Sequence, residues 1–360
     1  MNISTEIDDD SQLAIIEEAS KLSKNVISPL NAISDQIGCI WRSYGVRTLP
    51  RFKVAYQQYC EGEWPSLAMP ESFEGQGAVP YAQERLAMRT LSGPKNPDGP
   101  ADPIIVHPDV RRIFLTIKSF AEGFRAFTYY VAQQLDLSEH AKSQESKTQA
   151  KQLLALLAPI CKGFMTELGC KAAHHGVQVL GGHGYIIEWR MGQNQRDSRI
   201  STLYEGTTGI QALDLIGRKV LGSKGALLTN FSAIIFEYCQ SQQHNQSMQD
   251  FTQLLNEATT QWIVAHCVGK SAAAEPEEIG AASVDFLMFS GYTILAYFWA
   301  RMVQVSLEKL QSGTDEEDLY LSTVNSARFY FQRILPHTAT LKLTIQPDAK
   351  NLMQINSEQF

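Results

Sequence analysis

Two stretches near the middle of the chain repeat apolar residues at helical spacing for far longer than a strand could run. From Asp109 to Leu135 the residues Val110, Phe114, Ile117, Ala121 and Phe124 fall on one face of a helix. Lys151 to Leu180 reads as a second long helix, with Pro159 kinking or resetting it locally. Between residues 70 and 100 no run alternates Val, Ile, Thr and Tyr between turn signals, so no strand domain is expected there. The fold class that follows is all-α. Each amphipathic helix must bury its apolar stripe against another, and short connections make neighbours antiparallel. With a helix near Tyr81 and another opening at Glu205, the expectation is a four-helix bundle.

The flanks are helical too. Leu13, Ile16, Ala19 and Leu22 keep helical spacing over residues 11–24, after the cap-like Asp8-Asp9-Asp10. Further helices are expected from Pro29 to Ile37 and from Pro50 to Glu61, with a loop through Trp64-Pro65, Met69-Pro70 and SFEGQGAVP. Pro94 to Pro108 is rich in Pro, Gly and Asp and reads as surface loop, as do the polar residues 137–149. A polar linker at 240–250 precedes three helices, roughly Asp250–Lys270, Ile279–Ser312 and Asp318–Ile334. The uncharged run FLMFSGYTILAYFWA, Phe286 to Ala300, is shorter than the ~20 residues a membrane-spanning helix needs. It is expected to be a buried helix. Three units result: a helical segment over 1–78, a bundle over 79–222 and a helical extension over 223–360.

At 360 residues, with 44% hydrophobic and 19% charged residues, the chain can bury a large core and is not a disordered polymer. Its net charge of −7 argues against general nucleic-acid binding. The six cysteines include no C-x-x-C pair, which points away from a zinc site or a disulfide framework and towards reduced thiols. The opening MNISTEIDDD has neither a basic nor an apolar signal region, and a cytoplasmic location is expected.

The chemistry concentrates between His174 and Leu221. An apolar helical approach ends at Gly181-Gly182; Arg196, Asp197 and Arg199 follow, and then Tyr204-Glu205-Gly206-Thr207. A carboxylate at a helix mouth can act as a base in dry surroundings, or simply favour the helix dipole. The glycines can be a helix cap and turn, or a place where backbone approaches a ligand closely. Arg196, Asp197 and Arg199 read as an ion-pair cluster that shapes the loop. His174 and His175 point about 100° apart on a helix and read as structural.

The order VQVLGGHGY, RDSRI, LYEGTTGIQ resembles the C-terminal domain of the flavin-dependent acyl-CoA dehydrogenases. YAQERLAMRTLSGPKNPDGPADPIIVHPDVRR, GIQALDLIGRK and SARFYFQRILP resemble the 3-(methylthio)propanoyl-CoA dehydrogenase branch of that family. The resemblance is discontinuous: Val79-Pro80 leads straight into Tyr81-Ala82-Gln83-Glu84-Arg85, where the family has a central β-domain. It implies that Glu205 is the base that takes the α-proton of an acyl-CoA thioester while the β-hydrogen leaves as hydride to flavin N5. It assigns contacts with FAD to Arg85, Gln178, Gly181, Gly182 and Thr207, with those of Arg85, Gln178 and Gly182 reaching a neighbouring subunit's flavin. It also implies a homo-oligomer, no metal, an acyl-CoA substrate (3-(methylthio)propanoyl-CoA by the branch), and electron-transfer flavoprotein as partner. A catalytically inactive family remnant, serving as a helical oligomerisation or interaction protein, is the alternative.

Overall fold

The computed structural model describes residues 17, 20–37, 40–42, 45–47, 51, 53–55, 78–265 and 276–359. In chain order the elements are α1 (Ser28–Ile37), a hairpin of β1 (Ile40–Arg42) and β2 (Gly45–Arg47), α2 (Ala78–Glu84), α3 (Pro108–His140), α4 (Gln144–Leu180), α5 (Met191–Ile200), α6 (Thr208–Leu213), α7 (Ala226–Ser241), α8 (Gln249–Ala265), α9 (Glu277–Ser312), α10 (Glu317–Phe329) and α11 (His337–Ile345). Three π-type turns abut helices: Ser23–Ile27 before α1, Asp214–Leu221 after α6 and Tyr330–Ile334 after α10. The fold is all-α. Its sheet content among the described residues is the hairpin, paired Ile40 to Arg47 and Arg42 to Gly45, and a single bridge between Leu86 and Pro103. Of the expected N-terminal helices, Pro29–Ile37 falls within α1. Residues 11–24 and Pro50–Glu61 lie largely outside the described residues.

α3 and α4 pair along their lengths, as the three-residue connection 141–143 demands. That connection is much shorter than the expected loop over 137–149. Ser143 caps α4 by accepting the Ser146 N–H at 3.0 Å, and Gln144, Glu145 and Lys147 are good helix formers on an exposed face. Polarity there marks solvent, not loop. Pro159 sits inside α4, which runs on through it to Leu180 without a break.

The core forms around α9. Phe289 to Ala300 are buried without exception, and α9 packs against α3, α4, α6, α8, α10 and α11. Each large apolar side chain enclosed there contributes roughly 1.5–3 kcal/mol. The polar tips of three buried aromatics there are matched: Trp262 Nε1 donates to Ser290 Oγ at 2.7 Å, Trp299 Nε1 to the Ser119 carbonyl at 3.2 Å, and Tyr330 Oη to the Tyr292 carbonyl at 2.7 Å. α4 and α9 are both long and apolar enough to cross a membrane, but α9 is the centre of this fold. One apolar cluster joins Phe120, Phe164 and Leu215 of the bundle to Phe231, Trp262, Trp299 and Ile345 beyond it.

Candidate functional site

The C-terminal end of α4 is fixed from outside by α2. Ala82 is fully buried against Ile113 and Val179. Beside it, the Tyr81 hydroxyl donates to the Leu180 carbonyl (3.2 Å) and shares a 2.8 Å hydrogen bond with His183 Nδ1. The Tyr81 ring meets His183 and Trp189 edge-on at 5.6 and 5.3 Å, and His183 stacks on Trp189 at 4.8 Å. α4 ends where Gly181 turns to φ +59, with its N–H on the Gln178 carbonyl at 3.2 Å. Three residues on, a Cβ at Gly184 would meet the Val177 carbonyl oxygen at 2.5 Å, so this tight turn requires glycine.

These elements wall an open cleft of about 500 Å³ lined by Tyr81, Arg85, Ile104, Gly181, Gly182 and Ile186, among others. Nothing lies within 4 Å of where a Cβ would stand on Gly181 or Gly182. The cleft therefore offers a cation, exposed backbone and an apolar wall on one surface, which suits a phosphate-bearing ligand with a flat organic part. Arg85, Gly181 and Gly182 are brought together here. Gln178 is exposed on the last turn of α4, next to the cleft but outside its lining.

Glu205 does not open a helix. α6 starts at Thr208, and its cap is Thr207, whose Oγ1 accepts the Ile210 N–H at 3.4 Å. Glu205 precedes it in a turn, with φ +53 followed by Gly206 at φ +88. A serviceable cap two residues on makes the earlier start unnecessary, and the left-handed backbone of Glu205 and Gly206 forbids it. The turn is clamped from α4 and α6. Lys162 Nζ donates to the Gly206 carbonyl (2.6 Å) and lies 5.8 Å from the Tyr204 ring centre; Gln211 Nε2 donates to the Glu205 carbonyl (3.0 Å). Thr208 Oγ1 donates to Glu167 at 2.5 Å. The Glu205 side chain is exposed. A glutamate held left-handed costs roughly 1–2 kcal/mol over an ordinary residue, and such strain gathers where a side chain must be aimed.

The two loci lie apart. Lys162 and Glu167 hold the Glu205 turn, while Leu180 and Gly181 form the cleft, so at about 1.5 Å of rise per residue they are roughly 20 Å or more apart along α4. Thr207 stands with Glu205, not with Arg85. Around the triplet on α5, Arg199 donates to Thr202 Oγ1, and Gln193 Nε2 contacts Asp197 at 3.4 Å and Asn31 Oδ1 at 2.9 Å. Gln193 thereby ties α1 to α5. Sequence reasoning did not single out Tyr81, His183 and Trp189, which shape the cleft, or Lys162, which clamps the turn. A tryptophan inside a glycine-rich connection was the available signal for the first group. Lys162 looked like any lysine on a helix.

Residues 84–221 match the family model described as "Acyl-CoA dehydrogenase, C-terminal domain", and residues 231–356 match "Acetyl-CoA dehydrogenase C-terminal like". The chain is 35% identical over 263 residues to a 3-methylmercaptopropionyl-CoA dehydrogenase of Ruegeria pomeroyi, covering 72% of this chain and 44% of that protein. It is 31% identical over 294 residues to the broad-specificity linear acyl-CoA dehydrogenase FadE5 of Mycobacterium tuberculosis, covering 79% and 48% respectively. The chain thus spans less than half the length of the curated relatives it matches. A Bacillus anthracis acyl-CoA dehydrogenase solved with FAD shares the fold at a TM-score of 0.55 and 16% identity, over 77% of this chain and 47% of that one. Caenorhabditis elegans ACDH-11, solved with C11-CoA, does so at 0.56 and 17%, over 71% and 39%.

Proposed function

Because the chain belongs to the acyl-CoA dehydrogenase family, carrying its C-terminal helical domains, we propose that it acts in the FAD-dependent α,β-desaturation of an acyl-CoA thioester, with Glu205 as the base. The observation that carries this reading is the turn at Glu205. A strained glutamate is held by Lys162 and Gln211 through backbone carbonyls alone, which leaves its carboxylate unused and aimed outward. The carboxylate would take the α-proton of the thioester. Backbone N–H groups of the same turn would polarise the thioester carbonyl, where negative charge gathers as the proton leaves.

The open cleft fits part of a flavin dinucleotide. Arg85 would pair with the pyrophosphate, the bare backbone of Gly181 and Gly182 would let it approach, and Gln178 would hydrogen-bond at the rim. Bound FAD would supply the hydride acceptor for the β-hydrogen. With more than about 20 Å between the cleft and Glu205, one copy cannot present both to one flavin. The working site would therefore join the cleft of one copy to the Glu205 and Thr207 of another in a homo-oligomer. Tyr185, Ile187, Leu203 and Tyr204, all exposed beside the two loci, supply the apolar surface for such a contact. The same contact would enclose Glu205, as a base for a carbon acid requires. The substrate would be an acyl-CoA, with 3-(methylthio)propanoyl-CoA suggested by the Ruegeria relative, and electrons would pass to an electron-transfer flavoprotein.

A second reading, an inactive helical remnant that serves as an oligomerisation or interaction protein, is favoured by the exposure of Glu205 in the single chain. Titrating FAD into the purified chain separates the two. Micromolar or tighter binding, followed by bleaching of the flavin absorbance on adding an acyl-CoA, supports the dehydrogenase. A colourless protein that takes up no FAD at high concentration supports the remnant.

A further inference from the structure

A second cleft, of about 270 Å³, opens where α3, α4 and α9 meet the segment from Tyr330 to His337. Its walls carry Arg112, Lys171, His175, Arg333 and His337, over an aromatic floor that includes Tyr292. Lys171 and His175 are four apart on α4, and Arg333 and His337 are four apart on the facing segment. The α4 pair thus points its two side chains the same way, at a cost when both are charged, and Arg333 and His337 reach the same space from either side of the turn at Leu335 and Pro336. In a chain of net charge −7, five basic side chains around one small space do not follow from composition.

The cluster is under-compensated. Arg112 is paired with Asp109, at 3.0 Å through Nε and 2.7 Å through a terminal nitrogen. Lys171 and Arg333 have neither an ion pair nor a hydrogen bond to any described residue. His175 Nε2 is shut off from water with no partner, which is unusual for a ring nitrogen. The groups sense one another although Lys171 and His337 keep solvent exposure: partial desolvation, then Arg112, depress Lys171; partial desolvation, then Lys171, depress His337; and burial followed by Lys171 and Arg112 depress His175, against a smaller opposing pull from Asp109. The imidazoles are therefore held neutral near pH 7, where each offers an N–H donor. The charge is left to Arg112, Lys171 and Arg333.

We propose that this second cleft is an oxyanion site that takes a phosphate group, either inorganic phosphate or the phosphate of a phosphomonoester. A tetrahedral dianion would neutralise Lys171 and Arg333, accept from the orphaned His175 Nε2 and rest over Tyr292. Bound there, it would cross-link the bundle to the C-terminal helices. The site is distinct from the Arg85 cleft, and the inference does not rest on the dehydrogenase reading.

The test titrates inorganic phosphate into the full chain by calorimetry, with ionic strength held constant by chloride. The expected result is saturable binding that Lys171→Gln and Arg333→Gln each weaken at least tenfold, while Arg85→Gln changes it less than twofold. Both variants remove like-charge repulsion, and far-UV circular dichroism verifies their folds; if one misfolds, the other decides. Adenosine monophosphate forms the second arm. Competition with phosphate assigns a phosphomonoester, and failure to compete assigns the free anion. Absence of saturable phosphate binding overturns the proposal. So does binding that survives in both cleft variants, or binding that Arg85→Gln removes.

Discussion

Two glycines on α9 should respond to the same substitution with opposite signs. Gly280 lies on the first turns of the helix, exposed, and nothing lies within 4 Å of its would-be Cβ. Gly280→Ala should stabilise by the helix-propensity difference of about 0.8–1.0 kcal/mol. Gly291 sits where α9 crosses α4, and a Cβ there would meet three atoms of the Phe164 ring at 2.1, 2.3 and 2.6 Å. Ordinary contact begins near 3.4 Å, so the ring or the helix would have to move by about 1 Å. Phe164 has no room to do so: it is fully buried, edge-on to Phe124 at 5.9 Å and to Tyr292 at 5.0 Å. Overpacking of this kind costs ~1–3 kcal/mol, and this clash is severe enough for the upper part of that range. After subtracting the propensity gain, Gly291→Ala should destabilise by about 1–2 kcal/mol. Urea titrations of both variants measure the difference. Repeating Gly291→Ala in a Phe164→Leu background should recover most of the loss as a coupling energy of about 1–2 kcal/mol. Equal stabilisation by both alanines, or no coupling to Phe164, would falsify the account of the seam.

Asp102 is enclosed; burial opposes its charge, but the N–H groups of Thr90, Asn96 and Lys95 together with Arg89 outweigh that and lower its pKa to about 2. Its folded pKa is depressed, so its contribution is complete above the ordinary carboxylate range and is lost as pH falls from there through about 2. Acid unfolding of Asp102→Asn followed by circular dichroism should show a flatter limb in that window, and an unchanged limb would place the acid sensitivity elsewhere. Ser290→Ala removes the acceptor of the buried Trp262 indole and should cost about 1–3 kcal/mol by urea titration. A loss below 0.5 kcal/mol would mean that the indole finds another partner. Under the proposed function, Glu205→Gln should lower any acyl-CoA dehydrogenase turnover measured with added FAD by ~10²-fold or more without altering the far-UV spectrum. Retention of most of the turnover would rule Glu205 out as the base.

The helices were legible where an apolar stripe met a clear stop. The span expected from Ile279 to Ser312 corresponds to α9, because a long run of large apolar residues can only be buried and Gly313 ends it at φ +82. The expected start at Asp250 agrees with α8 to one residue. Reading failed where polarity was taken for a loop. Residues 137–149 are polar because they face water, yet most of them are helical. α7 went unseen because its junction with the preceding π-type turn is only four residues long and carries no proline; Gly225 stands at φ +83, and Ser223 Oγ accepts the Leu227 N–H at 3.3 Å. The site was legible as a set of residues and not as a geometry. Spacing puts Gly182 and Glu205 close in sequence, but the chain leaves the end of α4, runs back along it through α5 and lays Glu205 beside Lys162. No local signal in the sequence fixes that return path.

That return path gives α4 its role. A helix anchored along one side by α3 and crossed by α9 is a stiff spacer, and it carries the phosphate-compatible cleft at one end and the glutamate turn well back along its length. Any shift of α9 that changes how Phe164 and Leu168 sit must move the clamp residues Lys162 and Glu167 with them, since these lie on the same turns. The C-terminal helices enclose α9 through Phe251, Tyr330 and Ile345 and so bear on the Glu205 turn through α9 and α4. The second cleft occupies the same seam, between Lys171 on α4 and Arg333 beyond α10. An anion bound there would tighten the joint on which the placement of Glu205 depends, and an empty cleft would leave like charges pushing α4 and the C-terminal segment apart.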